Sequence, residues 1–290
     1  MRSLLFVPGD SLRKLEKGMG SGADVLLIDL EDSVALDAKA EARRITAAFL
    51  GERGRDTNRP RLYVRVNGLT TGLIDADLDG VMHSAPDGIV LPKTVGGADV
   101  AHLGAKLAVR EAEFGLDDGA TRILAIGTET AAGVFALGTF AGSSHRLMGL
   151  TWGGEDLSAD LGAETNRAED GAYTDPYRLA RSLTLLGAAA ASVDAIDSVF
   201  TNFRDMAGLE AECRTARRDG FVAKMAIHPA QVPVINQAFT PSPEAIERAQ
   251  AVIDAFKANP GAGVVGVNGE MLDRPHLLRA ERLLRRAGLL

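Results

Sequence analysis

Cysteine occurs once in the 290 residues, as Cys213. A single thiol closes no intrachain disulfide and builds no Cys-rich zinc site, and it fits a reducing cytoplasm. Positive charge is in deficit, with a net charge of −7, so there is no general attraction to nucleic acid or anionic membrane. Local basic groups around an anionic substrate remain open. Long apolar runs are missing too. The N-terminal MRSLLFVPGD stops its apolar stretch at Pro8-Gly9, too early for a signal-peptide core or a membrane span. No strand-like run is followed by a Gly-x-Gly-x-x-Gly turn, and there is no P-loop, which removes the usual dinucleotide and nucleoside-triphosphate cradles. The expectation is a cytoplasmic protein without membrane or nucleic-acid partners.

What is present is an alternation of short apolar runs with amphipathic stretches. Residues 3–7, 24–29, 62–66, 88–91, 123–126, 147–151, 195–200 and 221–227 read as strands buried on both faces. Helical spacing fills 11–19, 39–50, 100–113, 176–191 and 210–218. About eight strand–helix units predict an α/β fold, a closed (β/α)8 TIM barrel over residues 1–240. An open doubly wound sheet is the rival, disfavoured by the missing glycine turn. Residues 241–290 add a helix at 243–258, a Gly/Val-rich segment at 261–269 read as a hinge, and a basic helix at 275–287. This C-terminal helical extension reads as a lid or an oligomerisation arm.

Two stretches organise the rest: ILAIGTETAAGV at 123–134 and LMGLTWGGEDLSADLG at 147–162. Each apolar run ends in glycine followed by acid, Glu129 in the first, Glu155 and Asp156 in the second. On adjacent parallel strands these carboxylates share one edge. Two hard oxygen ligands without a His or Cys cluster suit Mg²⁺ better than zinc; otherwise they are helix caps and first-turn charges. A barrel gathers Asp29, Glu31, Asp32, Arg65, Asn67, Lys93, Glu129, Glu155, Asp156 and His228 at its C-terminal mouth, where active sites lie. Arg65, inside an apolar strand, either pairs with a carboxylate of the Asp29–Asp32 turn or holds an anionic substrate. Lys93 reads as a solvated lysine, His228 as a strand-end cap, and Trp152 as core or pocket wall, with wall slightly favoured.

The ordered series RSLLFVPG, ADVLLIDLEDSV, KAEARR, YVRVN, IVLPK, IGTETAAGV, GGEDLSADLG, GFVAKMAIHPAQV and NGEMLDRP resembles the citrate lyase β-subunit/malyl-CoA lyase family. These are CoA-ester lyases of the HpcH/HpaI aldolase superfamily, and the resemblance runs nearly end to end. It implies a (β/α)8 barrel, Mg²⁺ and a homotrimer or hexamer. It implies that Glu129 and Asp156 ligate the metal and that Arg65 holds a substrate carbonyl or carboxylate. Glu155 joins the substrate site, and Phe6, Lys17, Ile227 and His228 contact the CoA or acyl chain. A basic residue common in that contact set is Ser11 here. Asp273 matches an acid that a neighbouring subunit's C-terminal segment places over the site.

This set suits carbon–carbon cleavage beside a carbonyl. A 3-hydroxyacyl-CoA thioester, such as malyl-CoA, methylmalyl-CoA, citramalyl-CoA or a citryl thioester, would yield an α-keto acid (glyoxylate, pyruvate or oxaloacetate) and an acyl-CoA. Arg65 and the N–H groups of Gly153 and Gly154 are candidates to stabilise the thioester enolate. Asp273 is the candidate proton donor, with a pKa raised by lid closure. Thioesterase or malate synthase-type activity, a carrier-dependent citrate lyase β subunit and a non-catalytic organic-acid-binding subunit are the alternatives.

Overall fold

Alternation along each strand decides which side chains fill the centre and which reach the mouth. In the computed structural model, which describes residues 1–290, eight parallel strands close a barrel in sequence order. They are β1 (Ser3–Pro8), β2 (Val25–Asp29), β3 (Arg61–Arg65), β4 (Gly88–Leu91), β5 (Arg122–Ile126), β6 (Leu147–Thr151), β7 (Asp194–Asp197) and β8 (Ala223–Ala226). Closure is made by β1 against β8, Leu4 opposite Met225. The central packing holds Leu4, Val25, Leu27, Tyr63, Val90, Leu124, Ile126, Ile196, Ala223 and Met225, every second residue where a strand supplies two. Two residues further on, the same parity aims Phe6, Asp29 and Arg65 at the C-terminal mouth. A Cβ on Gly88 would sit 2.6 Å from the Tyr63 ring, so this strand begins with the one residue that lets Tyr63 fill the centre.

Between the strands run α1 (Leu12–Met19), α2 (Lys39–Arg53), α3 (Ile74–Val81), α4 (Gly97–Phe114), α5 (Ala131–Ala136), α6 (Gly154–Leu161), α7 (Asp175–Ala191), α8 (Met206–Asp219) and α9 (Gln231–Phe239). The helix α3 was not expected, although Ile74, Leu78 and Val81 carry its buried face. Residues 198–200 leave the barrel early, and Gln231 Nε2 donates to the Phe200 carbonyl at 2.8 Å. No helix is long and apolar enough to cross a membrane.

The chain divides into two compact units, Met1–Ala238 and Phe239–Leu290. The second holds α10 (Pro243–Ala258), β9 (Val264–Val267), β10 (Glu270–Asp273) and α11 (Arg274–Arg286). It has its own small core of Ala249, Val252, Ile253, Val265, Leu272, Ala280 and Leu284. The 261–269 segment is therefore not a hinge: most of it forms an antiparallel hairpin, with Val267 opposite Glu270. Asn268 and Gly269 both have positive φ, 49° and 82°, the two-residue turn whose twist matches the strands it joins.

Behind β7 and β8, charge is buried in a closed network. The Lys224 ammonium, fully buried, donates to Asp197 Oδ2 at 2.8 Å and Glu212 Oε1 at 2.7 Å. Burial alone would depress its pKa, but the Asp197 and Glu212 carboxylates hold it above the ordinary lysine range. Asp197 also accepts from Trp152 Nε1 at 2.8 Å. Lys224→Met takes the nearer cation from the buried Asp197 carboxylate, leaving it Arg181 Nε at 3.3 Å, and a loss of about 3 kcal/mol is expected. Urea unfolding checks this as a fall in midpoint at unchanged slope.

Candidate active site

The β2–α2 turn supplies a fixed acidic wall. Asp29 Oδ1 accepts from the Glu31 N–H at 2.9 Å and Oδ2 from the Ser33 N–H at 3.1 Å. The Lys39 ammonium donates to the Leu30 and Glu31 carbonyls at 2.8 and 3.0 Å, closing the turn from below. Arg65, the last residue of β3, meets this wall with a bidentate fork. Nε and Nη2 donate to the two Asp29 oxygens, each at 2.7 Å. Nη1 lies 2.9 Å from Glu31 Oε2 and 3.6 Å from Asp32 Oδ2. The guanidinium also covers the Phe6 ring at 4.8 Å from its centroid. Burial would lower the Arg65 pKa, but Asp29, Glu31 and Asp32 raise it well beyond the ordinary value. Both sequence readings of Arg65 need this position, and the ion pair is the one visible without substrate.

The second wall comes from the two echoing stretches. Their strands are neighbours, with Ile126 opposite Thr151, so their turns emerge side by side. Thr128 Oγ1 accepts from the Gly153 N–H at 3.1 Å, and Asp160 Oδ2 accepts from the Ala131 N–H at 2.8 Å. These two bonds tie one turn to the other. Gly153 lies hard against Glu129, where a Cβ would be 2.7 Å from Glu129 Cγ. Because Gly153 N–H is spent on Thr128, only Gly154, the first residue of α6, remains of the two enolate-stabilising candidates.

Glu129 is 3% exposed and accepts a short hydrogen bond from the Lys93 backbone N–H. Its pKa is pushed up to about 8, first by burial and then by the Asp156 and Glu31 carboxylates, against the relief from Lys93. Asp156, in the first turn of α6, lies 3.4 Å from the Lys93 ammonium. That ammonium also binds Glu31 and stands 3.4 Å from Asp32. Lys93 is thus not a solvated lysine; it links both walls.

Other expected residues divide. Ile227 is exposed at the end of β8, and its N–H and that of His228 donate to Gln231 Oε1 at 2.9 and 3.2 Å. His228 stacks on Phe203 with ring centroids 5.2 Å apart. Glu155 is exposed and accepts from Asn166 Nδ2 at 2.8 Å. Lys17 is exposed in the last turn of α1, the end of a barrel helix remote from the mouth, and is not brought to this group. Asn67 donates to Asp77 Oδ2 at 2.7 Å and serves the backbone, not the mouth. Trp152 is core rather than pocket wall, fully buried on Asp197 and edge-to-face with Tyr173 at 4.9 Å. Asp273 belongs to the second unit. It is half exposed there, beside His276, whose hydrogen bond holds its carboxyl below the ordinary range. The raised pKa expected of it is not its state in this unit.

Asp29, Glu31, Asp32, Glu129 and Asp156 outnumber Arg65 and Lys93, so the mouth is negative before any ligand arrives. A buried carboxylate with a depressed tendency to ionise, beside a second carboxylate, is the environment a hard cation relieves. No three His, Cys, Asp or Glu side chains converge as a metal cluster. Mg²⁺ needs none, since one or two carboxylates plus water and substrate oxygens satisfy it. The donor set fits the ion.

Comparison with known proteins follows the same outline. Residues 2–229 match the family model described as HpcH/HpaI aldolase/citrate lyase. The citrate lyase subunit beta of Leuconostoc mesenteroides subsp. cremoris is 34% identical over 288 residues, 99% of this chain and 93% of that protein. A (3S)-malyl-CoA thioesterase of Cereibacter sphaeroides is 36% identical over 292 residues, 99% of this chain and 94% of that protein. The crystal structure of protein CitE from Mycobacterium tuberculosis, in complex with magnesium, acetoacetate and coenzyme A, superposes with a TM-score of 0.77. It is 34% identical, covering 99% of this chain and 98% of that one.

Proposed function

Because the chain belongs to the HpcH/HpaI aldolase/citrate lyase family, we propose that it is a Mg²⁺-dependent carbon–carbon lyase acting on a 3-hydroxyacyl-CoA thioester. The products are an α-keto acid and an acyl-CoA. The observation that carries this reading is the joined pair of turns that puts buried Glu129 beside Asp156, opposite the Arg65 fork. The magnesium and coenzyme A of the CitE complex support the same assignment.

Glu129 and Asp156 would hold the ion, whose charge would favour negative charge developing on the substrate's hydroxyl oxygen. The chain's own groups do the rest. Arg65, fixed by Asp29, presents its Nη1 edge to an oxygen of the substrate carbonyl or carboxylate. Gly154 N–H, at the start of α6, faces developing negative charge with the helix dipole behind it. Asp273, supplied by the C-terminal unit of a neighbouring copy in a trimer or hexamer, moves the proton at the acyl α-carbon. Phe6, Ile227 and His228 contact the acyl-CoA.

Gly153→Ala tests the metal pair without replacing either ligand. The new Cβ collides with Glu129, and Mg²⁺ affinity by calorimetry is expected to fall by roughly tenfold or more, about 1.4 kcal/mol at least. Unchanged affinity would separate this turn from metal binding.

The substrate is tested by turnover of (S)-malyl-CoA, β-methylmalyl-CoA and (S)-citramalyl-CoA with Mg²⁺, measuring α-keto acid and free CoA separately. Keto acid without free CoA is the expected result, and the best substrate names the acyl group. Free CoA with intact hydroxy acid replaces the lyase by a thioesterase, the activity named for the Cereibacter relative. No turnover of free thioesters, with Mg²⁺-dependent keto-acid binding, points to a carrier-dependent citrate lyase β subunit.

A further inference from the structure

Lys93 has a backbone that its residue type does not favour. Four non-glycine residues have positive φ: Ala85, Lys93, Ser192 and Asn268. Ala85 and Ser192 end helices, and Asn268 makes the hairpin turn. Lys93, at φ 53°, does neither; it stands two residues past β4 at the mouth. The left-handed conformation is sterically disfavoured for an L-residue and open to glycine. Its gain is geometric, because one residue aims its N–H at Glu129 and its ammonium at Glu31 and Asp156. Glycine would make the backbone contact alone, so the side chain is what this position adds.

That side chain is held tightly by only one of its three carboxylate neighbours. Only its Glu31 contact is short; the Asp32 and Asp156 oxygens stand at 3.4 Å. Lys93 is 35% exposed against 12% for Arg65, and Arg65 already spends its fork on Asp29. Of the two mouth cations, Lys93 is the more exposed, and its ammonium stands 3.4 Å from Asp156 while its N–H holds Glu129.

Resting on the lyase reading above, we propose that Lys93 binds the carboxylate of the α-keto-acid half of the substrate and seats it against the Glu129–Asp156 pair. A brace for the carboxylates and a ligand for substrate predict opposite signs in one experiment. If Lys93 only braces, its removal loosens the metal pair. If it binds substrate, its removal takes a positive charge away from the metal pair and leaves the keto acid without a partner.

The test is calorimetric titration of Mg²⁺ into metal-free Lys93→Met, then of oxaloacetate, pyruvate and glyoxylate into the Mg²⁺-saturated protein. Expected are Mg²⁺ affinity equal to or tighter than wild type and keto-acid affinity weaker by roughly tenfold or more, the weight of one charge-assisted hydrogen bond. In turnover, KM rises more than kcat falls. Lys93→Gly, which accepts the left-handed backbone, is expected to show the same loss and guards against a misfolded Met variant. Weaker Mg²⁺ binding with unchanged keto-acid affinity overturns the proposal in favour of a brace. Wild-type protein that binds no keto acid with Mg²⁺ overturns the lyase reading itself, and the Lys93 proposal falls with it.

Discussion

Arg65→Lys is expected to lower kcat/KM by about 10²–10³-fold, roughly 2.7–4 kcal/mol of transition-state stabilisation, while Mg²⁺ affinity stays near wild type. Positive charge survives this change; geometry does not. The guanidinium spans both Asp29 oxygens at 2.7 Å and still turns Nη1 toward Glu31 and Asp32. An ammonium is a point charge that satisfies Asp29 and leaves no rigid edge for a substrate oxygen. It also loses the planar face that lies over Phe6. Arg65→Met is the poorer probe, since it leaves Asp29 buried without its cation and is expected to destabilise the barrel by about 3–5 kcal/mol. A lysine variant with wild-type kcat/KM at normal stability would reduce Arg65 to the structural partner of Asp29.

How far the sequence carried depends on whether an interaction is periodic or pairwise. The barrel was legible because eight apolar runs repeat with helices between them, and the parity that puts Tyr63 inside also puts Arg65 at the mouth. The kinship of the Glu129 and Asp156 turns was legible because the same glycine–acid pattern occurs twice. Trp152 was misjudged because its partner, Asp197, lies 45 residues away and nothing near Trp152 marks it. Lys93 was underrated because its left-handed backbone leaves no trace in composition or spacing. The 261–269 segment was misread although its signal was present: Asn268-Gly269 between apolar runs is a strong hairpin mark, and the surrounding glycines hid it. Lys17 shows the limit of carrying a role over by position, since a helix of eight residues, α1, leads away from the mouth within two turns.

Asp273→Asn is expected to reduce kcat by about 10²–10⁴-fold, with Mg²⁺ and keto-acid binding retained, because the proton at the acyl α-carbon loses its carrier. Asp273 ends β10 and precedes α11, where its carboxylate accepts from His276 Nδ1. That contact depresses the Asp273 pKa, so at neutral pH the group is ionised. In this state it is ready as the base for condensation and must first be protonated for cleavage. A depressed pKa keeps the base form present down to unusually acid pH, and activity in the condensation direction is lost only as pH falls through that value. His276→Gln removes the main cause of the depression, and the acid limb of the pH–rate profile is expected to move to higher pH. An unmoved limb would mean that another group sets it. Co-expression settles whether the acid acts on a neighbouring copy. Chains carrying Asp273→Asn and chains carrying Glu129→Gln are each expected to be inactive alone. Mixed oligomers regain activity only if an intact Asp273 on one copy completes an intact metal pair on another; inactive mixed oligomers would confine Asp273 to its own chain's site.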